Sequence, residues 1–321
     1  MINNFATTIQ SLPLVRGQYR QNYNLSQNSW FGCGGNCAVF FKPVDADDLQ
    51  YFLQNVDKNI KVVTIGALSN TIIRDGGFDG VVIKLGREFA SINLENNILR
   101  CGSAVLDYNL ANFAAENELK NFEFLIGIPG SIGGNVIMNA GCYGGEICDI
   151  FSSASGFDLS GNFKIITKKQ ANFGYRISAI KDFIITGVDF VFERGNRNEI
   201  LTKMNDINTK KEASQPLKQK TCGSTFANPT QNDIVGNVNY NTIPKAWELV
   251  KGVLANDNTQ QDFTVGGAFF SPKHYNFMIN NGTATATDIE SLGEEVKKRV
   301  LEKYVINLRW EIKFIGNSNN S

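Results

Sequence analysis

Histidine is almost missing from this chain: His274 is the only one among 321 residues. A zinc site of several imidazoles is thereby excluded, and a serine-nucleophile triad would have to be built on that single ring. The six cysteines (Cys33, Cys37, Cys101, Cys142, Cys148 and Cys222) show no paired-doublet spacing, which favours free thiols in a reducing compartment over a disulfide framework or a metal cluster. An excess of one charge is absent too, with Lys plus Arg equal to Asp plus Glu at 31 each. No global field therefore exists to hold nucleic acid or an anionic membrane, and an anionic ligand must be gripped by local groups. No run approaches the roughly 20 apolar residues of a membrane span. Residues 1–10 carry neither Lys nor Arg nor a continuous apolar core, so no secretory signal is read and a cytoplasmic location is expected. Missing as well is the glycine fingerprint of Rossmann dinucleotide folds, at first, third and sixth positions after an opening strand.

What is present is an ordinary globular composition, 42% hydrophobic and 19% charged, which rules out disorder, collagen and coiled coil. A chain of this length is at the upper limit for one core, so two or three subdomains able to enclose a large ligand are expected. The polar residues 1–30 and the tail 317–321 are expected to carry no chemistry. Asp45 is placed to cap a helix with Leu49, Phe52, Leu53 and Val56 on its apolar face, and a buried strand follows at 61–65. Turn signals at Asp75-Gly76-Gly77 and Asp79-Gly80 separate strands at 71–73 and 81–85. A shorter pair follows at 92–94 and 98–101, then a helix with Leu106, Leu110 and Phe113 on one face. Further strands are expected at 152–159, 163–167 and 183–192, and a charged amphipathic helix at 200–213. Near the end, Thr287 and Glu290 have capping-box spacing ahead of a buried helical stripe of Ile289, Leu292, Val296, Val300 and Tyr304. The last strand alternates, with Ile306, Leu308, Trp310, Ile312 and Phe314 on one face and Asn307, Arg309, Glu311 and Lys313 on the other. This order suits an α+β fold better than a repeating α/β barrel.

Glycine marks the centre of the chain. Gly127-Ile128-Pro129-Gly130-Ser131-Ile132-Gly133-Gly134 is followed by Asn139-Ala140-Gly141 and Gly144-Gly145. Backbone without Cβ atoms can approach a ligand closely and aim several N–H groups at it, as a pyrophosphate requires. A second loop, Gly66-Ala67-Leu68-Ser69-Asn70, follows the strand ending at Ile65. Each loop alone suits a turn packed on a helix equally well; two together point to a dinucleotide. Cys222-Gly223-Ser224-Thr225-Phe226-Ala227-Asn228-Pro229 is a candidate polar pocket, in which Ser224 is either a proton donor or a hydroxyl satisfying a turn. Arg176, in Phe173-Gly174-Tyr175-Arg176, is either a bidentate carboxylate clamp or a surface arginine. Glu311 matters chemically only if the polar face of the last strand lines a cleft. His274 is either a ligand contact or a hydrogen-bonded core residue.

In their order, these segments resemble the UDP-N-acetylenolpyruvoylglucosamine reductase family from about Asn28 to Gly316. Further carriers are Trp30-Phe31, Arg74-Asp75-Gly76-Gly77-Phe78-Asp79-Gly80, Phe122-Glu123-Phe124, Met138-Asn139-Ala140-Gly141 with Tyr143-Gly144, Gln215-Pro216, Gly266-Gly267-Ala268, Lys273-His274 and Trp310-Glu311-Ile312-Lys313-Phe314. The resemblance implies a two-part FAD-binding domain of the vanillyl-alcohol oxidase type, over 1–85 and 86–196. A C-terminal α+β substrate-binding domain follows over 197–298, with the C-terminal strand, 299–321, packing back on the second part. It further implies a flavin-dependent oxidoreductase of peptidoglycan synthesis that holds FAD non-covalently and takes NADPH as co-substrate. Its substrate would be UDP-N-acetylglucosamine enolpyruvate, reduced to UDP-N-acetylmuramate. By the same resemblance, Gly66, Ser69, Asn70, Gly127, Gly130, Ser131, Gly133 and Gly134 hold the FAD pyrophosphate, and Tyr143 lies near the flavin. Arg176 looks like the arginine for the enolpyruvyl carboxylate, Ser224 like the proton-donating serine and Glu311 like the catalytic glutamate. Asn228 looks like a contact to the UDP diphosphate, and His274 is grouped with it on the substrate side.

Three departures from the family pattern stand out. Leu68 occupies the usual place of a third loop glycine, and its branched side chain is expected to crowd a pyrophosphate or force another backbone angle. Residues 246–264, with Asn256-Asp257-Asn258, diverge from the Gly-rich stretch of relatives. The short spacing from Arg176 to Ser224 is similar to the type without an extra tyrosine-bearing closing loop. Two rival readings follow. One is a flavin oxidase of the same fold class with covalently attached FAD, for which Cys142 is the remaining attachment point because no histidine precedes His274. The other is a non-catalytic UDP-sugar-binding homologue in which Leu68 blocks FAD; the joint presence of Arg176, Ser224 and Glu311 argues against it.

Overall fold

The strands Asn36–Lys42, Phe78–Lys84 and Val62–Ile65 are almost wholly apolar because both of their faces are covered. They run parallel in that order, with Gln18–Asn24 antiparallel at the edge. The computed structural model describes residues 5–95, 97–236, 238–255 and 263–318. Helix Ala46–Asn55 lays Leu49, Phe52 and Leu53 over Val39, Phe41, Val81 and Ile83, while Leu25, Cys37, Phe40, Ile65 and Val82 build the core on the other face. Asp45 caps this helix as its sequence predicts, accepting from the Asp48 N–H at 2.9 Å.

A second, antiparallel sheet has the order Phe163–Thr167, Phe151–Asp158, Phe183–Val191, Ile98–Gly102, Ile92–Glu95. Helices Asp107–Glu116 and Ile132–Met138 share its core. Leu106 departs from its expected place on the helix face: it precedes the first turn and is exposed. The charged helix Arg197–Ser214 also belongs here, which corrects the domain boundary drawn at 197. Its apolar stripe, Ile200, Met204 and Ile207, is buried in the same cluster as Leu125, Ile126 and Phe190.

The third core gathers helices Ala246–Leu254 and Ala286–Tyr304, the hairpin Ala268–Phe270 with Met278–Asn280, and Phe226, Ile306, Leu308 and Ile312. Phe31 and Ile72 reach into it from the first part. Along the last stretch Ile306, Leu308 and Ile312 are buried and Asn307, Arg309 and Lys313 exposed, as the alternation predicts. Regular strand is confined to Lys313–Ile315, however, and it pairs in parallel with Thr71–Ile73. The strand pairing of the C-terminal segment is thus with the first part of the chain, and its contact with 86–196 is made by the Glu311 side chain on Arg176.

The long helix begins differently from expectation. Thr285 is its N-cap and Asp288 closes the box. Thr287 and Glu290 serve another purpose: Asp75 accepts from the N–H groups of Ala286 and Thr287 and from the Thr287 hydroxyl at 2.7–3.1 Å, and Arg74 grips Glu290 bidentately at 3.0 and 2.7 Å. With Asp75 satisfying these first-turn donors, the helix starts two residues earlier than Thr287 would allow. All six cysteines are free. Among the described residues, no helix is long and apolar enough to cross a membrane.

Gly293 faces the core of this helix, where an added Cβ would stand 2.0 Å from Trp310 Cη2. That indole is pinned between Phe226 and Phe314 and donates to Glu294. Gly293→Ala gains about 1 kcal/mol of helix propensity but must displace the ring. We expect a net loss of about 1–3 kcal/mol in urea denaturation. An unchanged or raised midpoint would mean that Trp310 has room to move.

Candidate active site

Between the two sheets lies a cavity of about 720 Å³, a size typical of cofactor sites. Residues 62–67 and 84–87 wall one side, and 103–106, 131, 133–134, 180 and 182–185 the other. Of the residues expected to hold FAD, Gly66, Ser131, Gly133 and Gly134 line it, whereas Ser69, Asn70, Gly127, Gly130 and Tyr143 do not. The absence of side chains is what lets the loops meet. A Cβ on Gly66 would lie 2.6 Å from Ser131 Oγ, and one on Gly133 would lie 2.9 Å from Ser103 Cβ.

The polar lining fits a phosphate-bearing group. The N–H group of Ala67, on the cavity wall, donates to no acceptor among the described residues, and the N–H groups of Leu68 and Ser69, next along the loop, are likewise uncommitted. The hydroxyls of Thr64 and Ser103, both on the cavity wall, are buried without partners. Buried donors of this kind are costly unless something supplies acceptors, and a dinucleotide diphosphate does.

Leu68 does not intrude on this space. Its φ is +54°, the left-handed conformation that glycine would take freely. Its side chain is only 4% exposed and packs with Leu25, Phe40, Ile65 and Val82, off the cavity wall. The expectation that Leu68 crowds the ligand is thus overturned. A strain of about 1–2 kcal/mol is offset by burial of about the same size or larger. Gly130 stands one layer behind the cavity, where a Cβ would meet Asp107 Oδ2 at 2.8 Å and Asn135 Oδ1 at 2.9 Å. Burial pushes the Asp107 carboxyl up to about 8, against the lowering effects of Asn135 and Lys211.

Arg176 and Glu311 meet at the end of helix Ile132–Met138. This helix stops at Asn139, φ +46°, an αL residue of the kind that ends helices. The Asn139 side chain donates to Gly174 O at 3.0 Å and accepts from Cys148 N at 2.9 Å, which hangs the 173–176 loop from the helix end. Arg176, also at positive φ, donates to the carbonyls of Asn139 and Gly141 and places its Nε 3.5 Å from Glu311 Oε1. The two side chains are 22% and 15% exposed. Burial raises the Glu311 carboxyl above its ordinary range, while Arg176 and Lys313 pull the other way.

Glu311 is therefore the exception on the polar face of the last segment. Its N–H donates to Thr225 O at 2.9 Å, its carbonyl accepts from Asn70 Nδ2 at 3.1 Å, and Asn70 O accepts from Lys313 N at 3.0 Å. Ser224 precedes Thr225 and pairs across with Phe277; its hydroxyl makes no hydrogen bond among the described residues. Arg176 and Glu311 are thus in direct contact, with Ser224 one residue from the partner of Glu311.

The two expected substrate-side residues have structural employment. His274 Nδ1 accepts from Asn276 N at 3.3 Å, and its ring lies 4.5 Å from that of Phe277. Burial lowers its pKa, and it belongs to the turn that presents Asn276 to the Phe226 backbone at 3.0 and 2.8 Å. Asn228 accepts from Ala246 N at 3.1 Å and donates to the Tyr175 hydroxyl at 3.3 Å, capping helix Ala246–Leu254. Tyr143, at φ +49°, is 44% exposed. Asn256-Asp257-Asn258 lie outside the described residues. Sequence reasoning missed Thr225, Thr64 and Ser103, which have no pattern of their own, and Asn139, whose place after an apolar helix and before Ala140-Gly141 was the available signal.

Two expectations follow. Leu68→Gly releases the left-handed strain but forfeits a buried leucine, so urea denaturation should show a loss of about 1–3 kcal/mol with FAD affinity unchanged; tighter FAD binding would mean that Leu68 does crowd the ligand. For Asp107, both states are protonated below about pH 4. Above that the unfolded chain ionises while the folded chain keeps its proton up to about 8, so stability is lost as pH rises through this window. The Tm advantage of Asp107→Asn over the wild type should therefore grow across it, and a difference independent of pH would contradict the buried, protonated carboxyl.

Comparison with known proteins agrees with this architecture. Residues 37–162 match the model of an FAD binding domain, and residues 215–315 that of the UDP-N-acetylenolpyruvoylglucosamine reductase C-terminal domain. The solved UDP-N-acetylenolpyruvylglucosamine reductase of Thermus caldophilus superposes with a TM-score of 0.75 at 27% identity, covering 94% of this chain and all of that one. The fold alone is shared with 6-hydroxy-D-nicotine oxidase of Arthrobacter nicotinovorans, at a TM-score of 0.53, 12% identity and coverage of 92% and 88%. UDP-N-acetylenolpyruvoylglucosamine reductases of Rickettsia massiliae and Rickettsia rickettsii are 45% and 46% identical, each over 95% of this chain and 98% of the relative. The chain belongs to the UDP-N-acetylenolpyruvoylglucosamine reductase family of flavin oxidoreductases.

Proposed function

We propose that this flavoenzyme of peptidoglycan synthesis reduces the enolpyruvyl ether of UDP-N-acetylglucosamine enolpyruvate to UDP-N-acetylmuramate, with NADPH as the source of electrons. The observation that carries the reading is the partly buried Arg176–Glu311 pair at 3.5 Å, tied through Asn70 to the loop that borders the cofactor cavity. Gly66, Ala67, Ser131, Gly133 and Gly134 would hold FAD non-covalently, and the flavin, with NADPH as its reductant, would supply the hydride for C3 of the enolpyruvyl group. The chain's own part is to manage the charge that this leaves.

Arg176 presents a planar fork of N–H donors, so it clamps the substrate carboxylate. With Glu311 it polarises the enol that forms across C2 and the carboxylate. Ser224 then gives its hydroxyl proton to C2, completing the addition of one hydride and one proton across the double bond. Its hydroxyl is uncommitted, which leaves it available for that transfer. Tyr143 is read as the exposed cover beside the flavin. Asn228 and His274 act on the substrate side by framing it, one through the helix cap and the other through the Asn276 turn.

Both rival readings lose their footing. A covalent link through Cys142 needs a thiolate, yet burial pushes that thiol up to about 12 and its Sγ donates to Phe124 O at 3.1 Å. The non-catalytic binder needed Leu68 to close the cofactor space, and Leu68 points into the core.

Anaerobic half-reactions test the proposal. Ser224→Ala should bleach with NADPH like the wild type, while flavin reoxidation by the enolpyruvyl substrate slows by roughly 10²–10⁴-fold. An equal loss in both halves would remove Ser224 from the proton-donor role, and a wild-type flavin that the substrate fails to reoxidise would overturn the reaction itself.

A further inference from the structure

The parallel strands Asn36–Lys42 and Phe78–Lys84 end side by side, in register at Phe41 and Ile83, and each ends in a lysine. Strand Val62–Ile65 ends next to them and runs into Gly66. The carboxyl ends of parallel strands are where open sheets of this kind receive ligands. Lys84 lines the cofactor cavity, and its Nζ donates to the Gly66 carbonyl. Lys42 is its neighbour: Lys42 Cε lies 2.8 Å from where a Cβ on Gly86 would stand. Neither ammonium has an ion-pair partner among the described residues. The other charged residues on the cavity wall, Arg87 and Asp182, are exposed. Lys84 is partly buried, and both desolvation and Lys42 disfavour its charged form. An ammonium held against desolvation and a like charge is unfavourable on its own account, and a ligand of opposite charge reverses the balance.

We infer that Lys84 is the counter-charge for the diphosphate of the bound FAD, fixing the Gly66 loop through its carbonyl while bringing a cation to a loop whose own contribution is neutral N–H groups. Lys42 adds to the same potential from the next strand. Glycine loops can orient a diphosphate but cannot neutralise it, and within the cavity wall Lys84 is the cation withdrawn from solvent. The inference extends the FAD assignment and is independent of the reaction proposed above.

The test compares wild-type holoenzyme with Lys84→Met, which keeps the apolar stem, and Lys84→Arg, which keeps the charge. FAD dissociation constants are read from flavin fluorescence, and Tm is measured with and without flavin. Lys84→Met should weaken FAD by about thirtyfold or more, and Lys84→Arg should restore most of that loss. Added KCl should weaken FAD binding less in Lys84→Met than in the wild type. Flavin-free Lys84→Met should melt no lower than flavin-free wild type, since an uncompensated charge has been removed; only the flavin-loaded form should lose Tm. Wild-type FAD affinity in Lys84→Met, or an equal Tm loss with and without flavin, would overturn the inference. A wild-type chain that takes up no FAD would overturn the cofactor assignment itself and the inference with it.

Discussion

Everything at this site depends on the end of the chain returning to its beginning. Lys313–Ile315 runs parallel to Thr71–Ile73, and Asn70 completes the join by accepting from Lys313 N and donating to Glu311 O. These are ordinary hydrogen bonds, each with a net worth of about 1 kcal/mol, and their importance is geometric. They set the Glu311 carboxyl, beside Arg176, at a fixed offset from the loop that borders the cofactor cavity, although 241 residues of sequence separate the two. Thr225 holds the other edge of Glu311 and brings Ser224 with it. One residue of slip in that pairing would turn Glu311 to the opposite face and leave Arg176 facing an isoleucine or a tryptophan.

The backbone around the site is held in conformations that side chains ordinarily avoid. Leu68, Asn139, Tyr143 and Arg176 all have positive φ. For Leu68 the conformation keeps a glycine-like loop shape while the side chain joins the core. For Asn139 it ends a helix, and for Arg176 it turns the guanidinium back over the carbonyls that end exposes. Such strain persists only where surrounding contacts over-determine it, and here they do. The Asn139 amide is bonded at both of its ends, and Arg176 is held by two carbonyls and a carboxylate.

Local pattern was enough for much of the fold. The apolar spacing behind Asp45, the runs at 71–73 and 163–167 and the stripe from Ile289 to Val300 all became the elements they describe, because each is decided by neighbours within a turn or a pleat. What local pattern could not reach was partnership. Helix Arg197–Ser214 shows only that three residues need covering, not that the second core covers them. The alternation from Ile306 to Phe314 says which face is buried, not that its strand pairs with Thr71–Ile73. Leu68 illustrates the same limit from the other side: the sequence shows a side chain where glycine is usual, but the direction of that side chain is set by a core gathered from Leu25, Phe40, Ile65 and Val82. Thr225 and Asn276 are silent in sequence because their work is done by main-chain atoms and an amide across some 50 residues.

The clamp between the first part of the chain and the long helix completes the logic. Arg74 and Asp75 hold Glu290 and the first turn of Ala286–Tyr304, and the Arg74–Glu290 side chains are about a third exposed. An ion pair so placed contributes little to stability, on the order of 1 kcal/mol or less. Its bidentate geometry nevertheless permits one orientation of the helix, and the helix carries the apolar stripe on which Trp310, adjacent to Glu311, is packed. The Glu311 carboxyl is thus located twice, by strand pairing at Asn70 and by helix docking at Arg74 and Asp75. Two modest constraints acting on one segment from different directions hold a partly buried acid beside its arginine, where either alone would leave Glu311 a rotation away from water.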